Sequence, residues 1–146
     1  MIEPELENAY RATDYVVHPP AGGKQEVAGF PIVLRIDSPS LALGALHRQR
    51  GVDCSCFITA CNPLSQPLDE PTNLVLQTDL AAELHRRSLA FLPGEGRHPS
   101  NGWRPEPSYL VLGLALEASK NLGRHYKQNG IVWAGADAVP RLVVLV

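Results

Sequence analysis

Residues 109–134 read YLVLGLALEASKNLGRHYKQNGIVWA, and this stretch decides the fold. Tyr109 to Leu114 is a short apolar run suited to a strand in the middle of a sheet. From about Leu116 to Tyr126 the pattern becomes helical, with Ala118, Leu122 and Tyr126 in register. Ile131 to Ala134 returns to a strand pattern. Strand, helix and strand in such close succession predict helices packed on a sheet.

The same alternation extends in both directions. Leu76, Leu80 and Leu84 recur at a spacing of four beside Ala81, which predicts a helix starting near Asp69 with Pro71 in its first turn. Ala90 to Leu92 reads as a short strand stopped by Pro93-Gly94. Cys54 to Ala60 reads as a strand ended by Asn62-Pro63. Ile32 to Ile36 reads as another, followed by Ser38-Pro39 as a helix cap and first-turn proline, with the helix running to about Arg50 and stopping at Gly51. Leu142 to Val146 is a closing apolar strand, expected in the sheet interior. Glu3 to Tyr15 reads as a short helix or arm with Leu6, Ala9 and Tyr10 on one face, and Pro19 to Gly23 as a loop. The expected fold is α+β, with a mixed sheet of about six strands and about three flanking helices. Its order is β-α-β-α-β-β-α-β-β after the N-terminal helix.

The bulk properties narrow the function classes. A chain of 146 residues fits one domain, residues 1–146, with a core large enough to need neither metal nor disulfide. The net charge of −2 offers no broad positive field, so neither nucleic acid nor an anionic membrane surface is an expected partner. Met1 to Tyr10 lacks the basic start and apolar run of a secretion signal, and no stretch is apolar enough to span a bilayer. Cys54, Cys56 and Cys61 are odd in number and clustered, which argues for a reducing, cytoplasmic setting. Their spacing does not match a structural zinc site, so no metal is assigned. No cofactor is implied.

Strands joined through helices tend to run the same way, and strands joined by loops tend to reverse. Applied along the chain, this rule gathers Asp37, Thr59, Asn62, Ser65, Glu95, Glu106, Ser108, Gln128 and Asn129 at one edge of the sheet. Strand ends of this kind are where ligands tend to sit. Glu95 lies in Gly94-Glu95-Gly96, read as a sharp turn that leaves the carboxylate uncrowded. Paired with Glu106, it would make an acid–base couple of unequal pKa, or hold a divalent ion. The plainer reading is a solvated turn glutamate, with Glu106 bonded to backbone amides. Thr59, Asn62, Ser108, Gln128 and Asn129 are candidate ligand contacts. For Asn62 the plainer reading is a turn before Pro63. For Asn129 it is a left-handed cap helped by Gly130. Cys61 is more readily an idle thiol than a nucleophile, and Ser65 and Ser108 lack the context of a hydrolase serine.

Five stretches carry a family resemblance: Ala9-Tyr10-x-x-Thr13-x-Tyr15, Phe57 to Pro63, Pro93 to Gly96, Glu106 to Val111, and Gln128 to Gly135. On these the chain resembles a bacterial family catalogued as domain of unknown function 3293. The resemblance implies a small stand-alone bacterial protein and brings no catalytic residues with it. It also implies that Asn62, Glu95, Glu106, Gln128 and Asn129 belong to the family's pattern. The function expected is binding of a small molecule, or an enzyme with Glu95 or Glu106 as general base. A neutral or cationic ligand is favoured over a phosphorylated one. The alternative is a non-catalytic interaction module, with a homodimer formed through the C-terminal strand.

Overall fold

The computed structural model describes residues 2–20 and 28–146. The second half of the Pro19–Gly23 loop lies outside them. Among the described residues, four α-helices accompany a seven-stranded sheet: α1 (Pro4–Ala12), β1 (Asp14–Val17), β2 (Ile32–Leu34), α2 (Leu41–Arg50), β3 (Ser55–Ile58), α3 (Glu70–Arg86), β4 (Phe91–Arg97), β5 (Glu106–Leu112), α4 (Leu116–His125), β6 (Gly130–Ala134) and β7 (Arg141–Val144). The sheet order is β2-β1-β4-β5-β3-β6-β7. The fold is α+β as the sequence implies.

The strand directions agree with the helix-and-loop rule, yet the sheet is not mixed. Every neighbouring pair is antiparallel. β2, β3 and β4 run the same way, but each is separated from the others by a strand of opposite direction. The helical crossovers skip one position, or three between β2 and β3, so parallel strands never become neighbours.

The seventh strand, β1, is the one that the sequence pattern hides. Asp14 to Val17 follows directly on α1, and its residues merge into that helix's apolar stripe when read as a string. Thr13 in an extended conformation ends the helix, and Tyr15, Val16 and Val17 are then buried in the sheet. β4 also runs further than expected, straight through Pro93 and Gly94. The proline is tolerated because its carbonyl accepts from His18 N at 2.8 Å. Its nitrogen therefore faces β1 just where that strand ends, so the one bond that it cannot donate lies at the end of that ladder. β7 lies at the sheet edge rather than in the interior, with Val144 exposed.

Helix starts follow side-chain chemistry. Asp69 caps α3 by accepting from Thr72 N at 2.8 Å, as expected. Ser40, two residues past the predicted cap, caps α2 by accepting from Leu43 N at 3.0 Å. Each sheet face buries its own core. One face packs Tyr15, Phe57, Leu110 and Val132 against Leu43 and Leu46 of α2, with Tyr10 of α1 at its margin. The other packs Cys56, Ile58, Val111 and Ile131 against Leu80 and Leu84 of α3 and Leu122 of α4. Among the described residues, no helix is long and apolar enough to cross a membrane.

Candidate functional site

Side chains on a strand alternate between the two faces of the sheet. Phe57, Glu106, Ser108, Gly130 and Val132 therefore point to the α1 side, together with Gly96 of β4. They line a half-open cavity of about 200 Å³ that α1 roofs with Leu6, Ala9 and Tyr10. Thr59, Asn62, Ser65 and Gln128 close one end, and His98 and Trp103 stand on the opposite rim. Six of the residues expected at this sheet edge thus share one cavity.

Most of these polar groups are spent on holding the walls. The Thr59 hydroxyl donates to Pro107 O at 2.7 Å and accepts from Cys61 N at 3.0 Å. Gln128 Nε2 donates to Cys61 O and Tyr126 O at 3.1 and 3.2 Å. Ser108 Oγ donates to Glu106 O at 3.0 Å. Asn129 does not line the cavity; its Nδ2 donates to Ser65 Oγ at 2.9 Å. Its backbone is not left-handed. That conformation falls to Lys127, with φ of 55°.

Asn62 is the pivot of the wall. It takes a left-handed conformation, φ 48° and ψ 61°, and is followed by Leu64 and Ser65, also at positive φ. Three non-glycine residues so placed within four positions are costly and persist only if well held. The holding groups are visible. Asn62 Oδ1 accepts from Leu68 N at 2.9 Å and Asn73 Nδ2 at 2.8 Å, and Asn62 N donates to Asn73 Oδ1 at 2.9 Å. Asn62 Nδ2 is left to donate to Glu106 Oε2 at 2.8 Å.

Glu106 is the lining residue with chemistry to offer. Burial pushes its carboxyl above the ordinary carboxylate value, against opposing hydrogen bonds from Asn62 and Trp103. The Tyr10 phenol is pushed up to about 12, first by burial and then by Glu106. No lysine or arginine among the described residues lines the cavity.

The structure separates the two glutamates that the sequence brings together. Across the β4–β5 ladder, Glu106 faces Gly96, while Glu95 faces Pro107. Glu95 therefore projects from the opposite face of the sheet. There it accepts from Arg97 Nη2 at 2.5 Å and lies 3.0 Å from His18 Nε2. Arg97 foremost, with His18, holds its carboxyl below the usual value. The pair can neither share a proton nor hold one metal ion. Asp37 is also away from the cavity, in an exposed ion pair with Arg11. The glycines beside Glu95 make no turn. Gly94 is required because a Cβ there would lie 2.5 Å from Val16 O.

Asn73 and Gln77 are the wall residues that the sequence reading passes over. Gln77 Oε1 accepts from Ala60 N at 3.0 Å, and Gln77 is 5% exposed. A signal for both is present. Positions 73, 77, 80 and 84 form one helical stripe, and two amides occupy its first half where leucines fill the second. The three cysteine thiols are buried, and burial raises the pKa of each.

The sequence profile of the family described as protein of unknown function (DUF3293) matches residues 58–131, just over half of the chain. The chain belongs to that family. The DUF3293 match begins at the last residue of β3 and ends in β6, and so takes in Asn62, Glu106, Gln128 and α3. α1, which roofs the cavity, lies outside it. No curated protein and no solved structure matches the chain.

Proposed function

We propose that this chain is a small-molecule-binding domain whose site is the cavity between α1 and the sheet. The observation that carries the reading is the Glu106 carboxyl, half-buried in that cavity and held at one oxygen by Asn62. A carboxyl half withdrawn from water, with no cationic partner among the described residues, is costly, and such groups gather at functional sites. The strained Asn62–Ser65 segment beside it points the same way. In this reading Glu106 is the group that exchanges a proton or hydrogen bond with the ligand. Asn62 orients its carboxyl, and Thr59, Ser108 and Gln128 set the walls. Glu95 falls outside the site.

The test is a fragment screen followed by amide and indole NMR shifts. Binding should move the signals of Trp103, Asn62 and Gly130 together. A broad screen that moves none of them would remove the reading.

A second reading is supported by the position of β7. It is an edge strand with exposed Val144 and Val146 beyond it, and could pair with a second copy. Light scattering at high concentration tests this, and a strict monomer counts against it.

A further inference from the structure

We propose that the ligand is a compact organic ammonium ion, its charge against the Glu106 carboxyl and its alkyl body against the rings of Tyr10, Phe57 and Trp103. This rests on the small-molecule reading above.

Three features of the cavity choose the ligand class. The first is charge. Glu106 is the lining carboxyl, and no lysine or arginine among the described residues answers it there. The remaining titratable groups on the lining do not supply a fixed cation. Tyr10 is a phenol held neutral by its surroundings, and Tyr15, whose pKa burial also raises, donates its hydroxyl proton to Tyr10 O at 2.6 Å. His98 Nδ1 accepts from Ser100 N and Asn101 N at 3.1 and 3.0 Å, so that nitrogen is taken up by the backbone of its own loop. An anionic ligand would meet an uncompensated carboxylate in a partly dry site. A cation relieves it.

The second feature is the aromatic lining. Tyr10, Tyr15, Phe57 and Trp103 all contribute to the cavity, and Tyr15 and Phe57 stand edge to face with centroids 5.3 Å apart. Ring faces attract ammonium groups and also bury alkyl carbons, which a phosphate or a sugar would not use as well. The third is size. At about 200 Å³ the cavity is smaller than the clefts that hold drug-sized ligands. The polar wall groups are already paired, mostly with backbone, so the site has few free hydrogen-bonding groups for a polyhydroxylated molecule.

The test compares probes of one shape and three charges. n-Butylammonium chloride, n-butanol and sodium butyrate are titrated into the full chain by calorimetry, with tetramethylammonium chloride as a second cation. NMR of the Trp103 indole reports where they bind. The expected result is binding of an ammonium probe with the Trp103 signal shifted, and at least about ten-fold weaker binding of butanol and butyrate. In Glu106→Gln the butylammonium affinity should fall to that of butanol. Trp103→Leu, at an exposed rim position, should weaken both cations without disturbing the fold. Absence of binding by both cations overturns the inference. So does equal or tighter binding of butanol or butyrate, or butylammonium affinity unchanged in Glu106→Gln. If butanol or butyrate wins with Trp103 shifted, the cavity remains a small-molecule site and only the cation assignment falls. If no fragment and no probe shifts Trp103, both fall.

Discussion

Glu106 stands directly opposite Gly96 on the cavity side of the β4–β5 ladder, while Gly94 stands opposite Ser108 and against the Val16 backbone. The two glycines flanking Glu95 therefore do different work. A Cβ on Gly96 would come no closer than 3.6 Å to Thr13 Cγ2, which is ordinary contact. A Cβ on Gly94 would lie 2.5 Å from Val16 O and 3.0 Å from Phe57 Cε2. Gly96→Ala should change stability by no more than about 1 kcal/mol, since alanine also suits a strand better than glycine. Gly94→Ala should cost about 2 kcal/mol or more, because backbone must move. Urea unfolding of both variants checks this, and equal losses would contradict the register.

The two glutamates should respond to pH with opposite sign. Glu106 has a raised pKa, so the folded protein keeps its proton to higher pH than the unfolded chain does. Its contribution is fully present below the ordinary value of 4.5 and is lost as pH rises through the raised value. Glu95 has a lowered pKa, so its contribution is present above 4.5 and is lost as pH falls through the lowered value. Relative to wild type, Glu106→Gln should gain stability as pH rises above 4.5. Glu95→Gln should instead lose stability with rising pH, by less than about 1 kcal/mol because its partners are well exposed. Urea midpoints measured from about pH 3 to about pH 8 give both curves. Slopes of the same sign would place the two carboxyls in like environments.

The parts of this fold legible in the sequence are those in which one periodicity dominates. The Leu76-Leu80-Leu84 stripe gives α3, and Leu80 and Leu84 are fully buried on it. Strand directions follow from connection types, which is why the sheet edge gathers Thr59, Asn62, Ser65, Glu106, Ser108 and Gln128 correctly. What the string conceals is lateral order. It depends on which face each crossover covers, so an alternating antiparallel sheet looks mixed when read along the chain. The face of a strand residue is equally hidden when the strand's limits are misjudged. Ending β4 at Pro93 leaves Glu95 in a turn, free to meet Glu106. Extending it through Arg97 sends Glu95 to the far side.

Gln77 offers a test of how the cavity wall is held. Its Oε1 takes the Ala60 amide, while its Nε2 is buried without a partner among the described residues. Gln77→Leu leaves the Ala60 N–H orphaned beside β3. The loss should be about 1–3 kcal/mol, the penalty of one unsatisfied buried donor. Hydrogen exchange at Ala60 should quicken relative to that of Cys56, which lies inside the ladder. Exchange at Ala60 that quickens no more than that at Cys56 would show that the amide has found another acceptor.

Asn62 combines a backbone role with a side-chain role, and two substitutions separate them. Asn62→Gly and Asn62→Ala both remove the bonds to Leu68, Asn73 and Glu106, so both should lose stability. At φ of 48° glycine is at ease, whereas alanine must hold its Cβ in the left-handed region. The alanine variant should therefore be less stable by a further amount of about 1 kcal/mol. Asn62→Asp asks a different question. It replaces the amide that donates to Glu106 with a second carboxyl, so the two should repel and the Glu106 pKa should rise further. Side-chain carbon NMR of Glu106 across a pH titration reads that shift directly. An unchanged titration in Asn62→Asp would mean that Asn62 does not set the state of the carboxyl.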